Sequence, residues 1–120
     1  MKNKTLVIGA SQKPERYAYK AINKLVEHEH GVRALSLKQG EVAGIVFDTN
    51  QIAYTDVDTV TMYVGSKNQT PYYKYITSLN PRRVIFNPGT ENPEFYSQLK
   101  KNNIEVVEAC TLVLLATDQY

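Results

Sequence analysis

The sequence predicts an α/β fold: a Rossmann-like, doubly wound, mainly parallel sheet of about five strands with helices on both faces. Three observations predict it. Short apolar runs without polar alternation, Leu6-Val7-Ile8 the first of them, suit strands covered on both faces. Helical patterns alternate with those runs along the chain, and right-handed crossovers then carry helices to both faces. Gly, Pro or polar residues punctuate the junctions. A chain of 120 residues is long enough for one domain, residues 1–120, and 42% hydrophobic content is enough for its core.

Each element has its own justification. The first strand ends at Gly9, and a loop runs from Gly9 to Arg16. Ala18, Ala21, Ile22, Leu25 and Val26 recur at helical spacing, which predicts a helix from about Tyr17 to His30, stopped at Gly31. Val32 to Leu37 alternates as a second strand and Lys38-Gln39-Gly40 ends it. Gly44 to Phe47 and Ile52 to Tyr54 read as one minor strand and a loop. Val57 to Val64 is the next strand, with Val60, Met62 and Val64 on one face and Gly65-Ser66-Lys67 closing it. Asn68 or Thr70 is expected to cap a second helix, with Pro71 in its first turn and Tyr72, Tyr75, Ile76 and Leu79 as its apolar stripe. Pro81 ends that helix, and Arg83 to Phe86 forms a strand leading into Asn87-Pro88-Gly89-Thr90-Glu91. Asn92 caps a third helix with Pro93 at its first position, Phe95 and Leu99 inward and Asn102-Asn103 as its stop. Ile104 to Val107 is the last clear strand, and Cys110 to Ala116 is a short helix or a final strand.

Composition narrows the function. Fourteen Lys and Arg against twelve Asp and Glu leave a formal charge of +2, which calls for neither nucleic acid nor an acidic membrane. No apolar run is long enough for a membrane span, and a strand so close to Met1 leaves no room for a signal peptide. The single cysteine, Cys110, forms no internal disulfide, so a cytoplasmic location is the expectation.

In a doubly wound sheet, ligands bind at the carboxyl ends of the strands. Four loops fall there: Gly9–Arg16, Lys38–Gly40, Gly65–Thr70 and Asn87–Glu91. The first has the make-up of an anion site. A helix N-terminus offers free N–H groups and partial positive charge, Gly9 has no Cβ, Ser11 carries a hydroxyl, and Lys13 and Arg16 add charge. The glycine-rich dinucleotide fingerprint is absent, because Ala10, Ser11 and Gln12 follow Gly9. Nicotinamide enzymes place an acid at the end of the second strand, about 20 residues past the glycine loop. Here Lys38 stands there, which suits a phosphorylated ribose: the 3′-phosphate of coenzyme A or the 2′-phosphate of NADP. No catalytic set converges. His28 and His30 point in different directions, Cys110 is expected to be buried and inert, and Arg82-Arg83 and Lys100-Lys101 read as solvated faces.

Four stretches carry a resemblance. They are Val7-Ile8-Gly9-Ala10-Ser11, Pro14-Glu15-Arg16-Tyr17, Val84 to Asn92, and Val106-Val107-Glu108-Ala109-Cys110-Thr111. Together they resemble the stand-alone CoA-binding domain family, which is similar to the N-terminal domain of the succinyl-CoA synthetase α subunit. The resemblance implies that Gly9, Ala10 and Ser11 face the pyrophosphate, reinforced by Lys13 and Arg16. It places Lys38 near the ribose phosphate, Gly65 beside the adenine, and Asn87, Pro88 and Gly89 along the pantetheine. The chain departs from the family where many members carry Asn-Pro after the second strand; here that place holds Ser36-Leu37. The expected function is binding of coenzyme A or an acyl-CoA as a small nucleotide ligand, without catalysis. The alternatives are an NADP-linked oxidoreductase or a subunit of one, and an interaction module with a vestigial nucleotide crevice.

Overall fold

A computed structural model describes residues 2–120. In chain order the elements are β1 (Lys4–Ile8), α1 (Tyr17–Glu27), β2 (Gly31–Leu35), β3 (Glu41–Val42), β4 (Ile45–Val46), β5 (Val57–Met62), α2 (Tyr73–Leu79), β6 (Arg83–Phe86), α3 (Pro93–Lys101), β7 (Glu105–Glu108) and α4 (Thr111–Ala116). Five strands form one parallel sheet in the order β2-β1-β5-β6-β7. The chain winds outward from β1 to β2, then returns to build the other half from β5. The switch in winding direction therefore lies between β1 and β5.

Both faces of the sheet are covered, which is why its strands read as continuous apolar runs. Leu6, Ile8, Val60, Met62, Val84 and Phe86 pack with Ile76 and Leu79 of α2 and Phe95 and Leu99 of α3. On the opposite face Val7, Val32 and Ala34 pack with Ala18, Ile22 and Leu25 of α1 and Leu115 of α4. The predicted α/β, Rossmann-like architecture with about five strands is the one observed.

Several boundaries differ from the expectation. The first helix ends at Glu27, three residues before His30. Glu29 takes a left-handed conformation (φ 65°), while His30 N–H donates to the Leu25 carbonyl and Glu29 N–H to that of Val26. That is a Schellman closure without glycine, and Gly31 belongs instead to β2. Strand β2 stops at Leu35, short of Leu37, because the chain returns alongside it. Ser36 N–H donates to the Asp48 carbonyl and Asp48 N–H to that of Ala34, and Leu37 is left 89% exposed. The minor strand is a hairpin of β3 and β4, turned at Ala43-Gly44 with both φ positive (52° and 81°), as a mirror-image two-residue turn requires.

Neither Asn68 nor Thr70 caps α2. Two 3₁₀ turns, Ser66–Asn68 and Thr70–Tyr72, precede it and Tyr72 leads in without a side-chain cap. The core therefore receives Tyr73, which stacks on Phe95 at 4.3 Å between ring centroids, while Tyr72 is only half-buried. The third helix follows its expectation: the Asn92 side chain accepts from Phe95 N–H, with Pro93 at the first position. Cys110 to Ala116 resolves as helix α4.

Candidate functional site

The four loops named from sequence all lie at the carboxyl end of the sheet, and the structure links them. The loop after β1 touches the end of β5, where Tyr63 N–H donates to the Ile8 carbonyl at 2.9 Å. It also reaches the β3–β4 hairpin, where the Gln12 side chain accepts from Glu41 N–H at 2.9 Å. The loops after β5 and β6 are pinned by Gln69, which is fully buried. Its amide donates to the carbonyls of Val64 (2.8 Å) and Thr90 (2.7 Å), and its oxygen accepts from Asn92 at 2.9 Å. Asn92 donates onward to the Tyr73 hydroxyl, which donates to Glu94. A chain of buried polar groups, each satisfied, makes this wall of the crevice rigid.

Gly9 has a use within the fold. Its φ is +92°, and a Cβ there would lie 2.9 Å from the Tyr63 carbonyl oxygen. The glycine lets two backbones meet at the switch between β1 and β5; the direction of the absent Cβ is filled by protein. The N–H groups of Gly9 and Ala10 both donate to the Leu35 carbonyl, at 3.0 and 3.1 Å. The donors left for an anion lie further along the loop. Ser11 and Gln12 N–H have no partner among the described residues, nor do those of Tyr17, Ala18 and Tyr19, since Lys20 donates the first intrahelical bond to Arg16. The Ser11 hydroxyl oxygen accepts from Lys13 N–H at 3.1 Å and keeps its own proton to donate.

Two other helix N-termini at this end are closed. That of α3 has its Asn92 cap and Glu94 in the first turn. At α4, Thr111 N–H donates to the Asn87 side chain at 2.8 Å. Helix α1 has no side-chain cap and no acid in its first turn, and Lys13 and Arg16 beside it are exposed and pair with no carboxylate among the described residues. Positive potential therefore concentrates at the start of α1.

The remaining predicted residues divide. Lys38 is exposed on the loop after β2, whose neighbour is a polar cleft of about 570 Å³ lined by Gln12, Gln39, Glu41, Phe47, Asp48 and Asn50 among others. Gly65 opens the first 3₁₀ turn and faces open space. Pro88 and Gly89 form an exposed turn, Gly89 at φ +93°. The Asn87 side chain is buried and engaged within the fold: its amide donates to Thr61 and to the Met62 carbonyl, and its oxygen accepts from Thr111. It braces β5, β6 and α4. Cys110 is half-buried at the lead-in to α4, more open than expected. The Tyr63 hydroxyl is buried near Thr61 and Thr111 with no hydrogen-bond partner among the described residues, and burial pushes its pKa up to about 12. Among the described residues no three His, Cys, Asp or Glu side chains gather as a metal site needs, and no helix is long and apolar enough to cross a membrane.

Arg83 overturns one expectation, since it is buried. It donates to Thr59 and to the Tyr120 carbonyl and lies over the Tyr120 ring at 4.7 Å. Its position in β6, two residues before Ile85 on the same face, is the sequence signal for that burial. Gln69 carried no such signal, because its partners include residues of the loop after β6, more than twenty positions away.

A family model described as CoA binding domain matches residues 3–116. A crystal structure of an uncharacterized protein is 44% identical, with a TM-score of 0.96 over 100% of this chain and 99% of that one. A hypothetical protein from Pyrococcus horikoshii OT3 is 25% identical, with a TM-score of 0.84 over 93% of this chain and 80% of that one. A protein from Thermus thermophilus, at 23% identity and a TM-score of 0.84 over 98% and 91%, shares the fold. No curated protein matches.

Proposed function

Because the chain belongs to the CoA-binding domain family, we propose that its crevice holds coenzyme A or an acyl-CoA and performs no chemistry on it. The observation that carries this reading is the open N-terminus of α1, with free N–H groups at Ser11, Gln12 and the first turn, and with Lys13 and Arg16 unpaired beside it. Those donors take the pyrophosphate, and the Ser11 hydroxyl adds one more. Gly9 and Ala10 shape the loop by tying it to β2 and β5. Lys38 reads the 3′-phosphate from the loop after β2. The Gly65 loop and the polar cleft beyond Gln12 flank the adenosine, and the exposed Pro88-Gly89 turn borders the pantetheine, with Asn87 holding that turn from beneath. The protein is a cytoplasmic carrier or sensor of the nucleotide in this reading.

Calorimetric titration tests it. Coenzyme A is expected to bind, and dephospho-CoA to bind less tightly because Lys38 loses its phosphate. Arg16→Glu is expected to weaken binding about tenfold or more, because a lost charge-assisted bond costs about 1.5–3 kcal/mol, with a denaturation midpoint no lower than the parent's, since an acid at a helix N-terminus is favourable. No heat with either nucleotide overturns the reading, and equal affinities remove Lys38 from it. Free-thiol release from acetyl-CoA is expected to stay at the buffer rate; turnover that vanishes in Cys110→Ser overturns the non-catalytic part.

A further inference from the structure

Helix α4 reads Thr111-Leu112-Val113-Leu114-Leu115-Ala116, with no charged residue. A helix apolar all round belongs in an interior. Only Thr111 and Leu115 of this one are buried; Leu112 and Leu114 are half-buried, Ala116 is exposed and Val113 is 55% exposed. Beside it an apolar groove of about 600 Å³ runs between α4 and α1, lined by Tyr19, Lys20, Lys24, Leu112, Leu115 and Ala116 among others.

We infer that a second copy of this chain covers α4, so that the protein is a twofold dimer packed through α4 and the groove. The charge pattern selects this occupant. An uncharged helix lies against its own copy without repulsion. Its two flanks carry opposite signs: Lys20 and Lys24 on α1 to one side, the second also 3.2 Å from Glu27 of its own helix, and Glu105 to the other. Glu105 is exposed on the edge strand β7 and paired in register with Arg83, whose side chain lies on the α4 face. A twofold axis along the strands sets α1 of one copy opposite β7 of the other, and so sets Lys24 facing the partner subunit's Glu105 twice over. Interfaces between identical subunits are self-complementary in this way. A partner of uniform charge lacks the match on one flank or the other.

Sedimentation equilibrium of the full chain between about 1 and 200 μM reads the outcome, a range that brackets a micromolar dimer. The wild type is expected to sediment as a dimer at the upper end. Val113→Asp, at an exposed position with no role in the core, is expected to raise the dimer dissociation constant about 100-fold by placing a carboxylate from each copy in the apolar contact. Lys24→Glu and Glu105→Lys are each expected to weaken the dimer, and the two together to restore it, a pattern that general damage to the fold does not produce. A monomer at every concentration overturns the proposal and leaves the face to another partner. So does a dimer indifferent to Val113→Asp, or single charge reversals whose effects simply add in the double variant.

Discussion

Gly9 shows how a residue marked as special by its loop can serve the fold itself. Loop context identifies a glycine that needs an unusual backbone or a close approach, and φ +92° with the Tyr63 carbonyl 2.9 Å from a Cβ satisfies both. The close approach is to protein. Gly9→Val is therefore expected to lower unfolding stability by about 3 kcal/mol, from positive-φ strain and the contact with Tyr63 combined, as a urea melt will measure. A midpoint equal to the parent's contradicts this geometry. Lys13 and Arg16 are the better probes of ligand binding, because they touch nothing the fold depends on. Asn87 is the converse case. Its position in a recognisable motif marks it as important, yet all of its polar atoms serve β5, β6 and α4.

At the scale of elements, the crevice depends on how loops are held as well as on strands. Gln69 stands between two 3₁₀ turns and makes three hydrogen bonds that tie its own loop to the loop after β6. Gln69→Ala leaves the Val64 and Thr90 carbonyls and the Asn92 amide without their buried partner. The expected cost is about 3 kcal/mol, since each orphaned buried group carries its own desolvation penalty. Amide exchange in residues 64–72 and 87–92 is expected to speed up together, because one side chain joins the two loops. Faster exchange in only one of them contradicts a shared anchor. The helix ends obey a related rule. Helices α1, α3 and α4 close through Glu29, Asn103 and Asp118, all at positive φ and none of them glycine. Hydrogen bonding to the preceding turn offsets the backbone strain there.

For the molecule as a whole, the two ends of the sheet do different work. At the carboxyl end Lys13 and Arg16 pair with no carboxylate among the described residues. The amino end is tied by charge. Arg33 and Lys4 meet Asp56, Arg82 meets Asp58, and buried Arg83 holds Tyr120, whose ring rests against His30 at 4.8 Å. These ties set the acid response. Burial, then His28 and Arg83 nearby, lower the His30 pKa from its ordinary 6.5, so the fold prefers neutral imidazole. Stability is expected to fall as pH drops below 6.5 and the unfolded chain takes up the proton first. The bond from Arg33 holds Asp56 below its ordinary 3.8, and Arg82 does the same for Asp58, so a second loss is expected as pH falls through that value. Denaturant midpoints across pH 3–8 check both windows. His30→Gln is expected to flatten the upper one alone, and an unchanged upper window shows that another group titrates there.

Much of this protein is legible in the sequence by itself. The apolar runs at Leu6–Ile8, Val57–Met62 and Arg83–Phe86 became strands of the parallel sheet, whereas Thr111–Ala116 became helix α4, and the Asn92-Pro93 start of α3 needed only local chemistry to be read. The four loops at the carboxyl end followed from the order of elements, and so did the cationic start of α1. What the tertiary structure decided are matters of which segments meet. The early end of β2 depends on Asp48 returning beside it, the partner that satisfies buried Arg83 on Tyr120 arriving from the far end of the chain, and the roles of Gly9, Gln69 and Asn87 on neighbours distant in sequence. Periodicity reports which face of an element is apolar; it carries no record of the partner that a lone polar side chain or a lone glycine will meet.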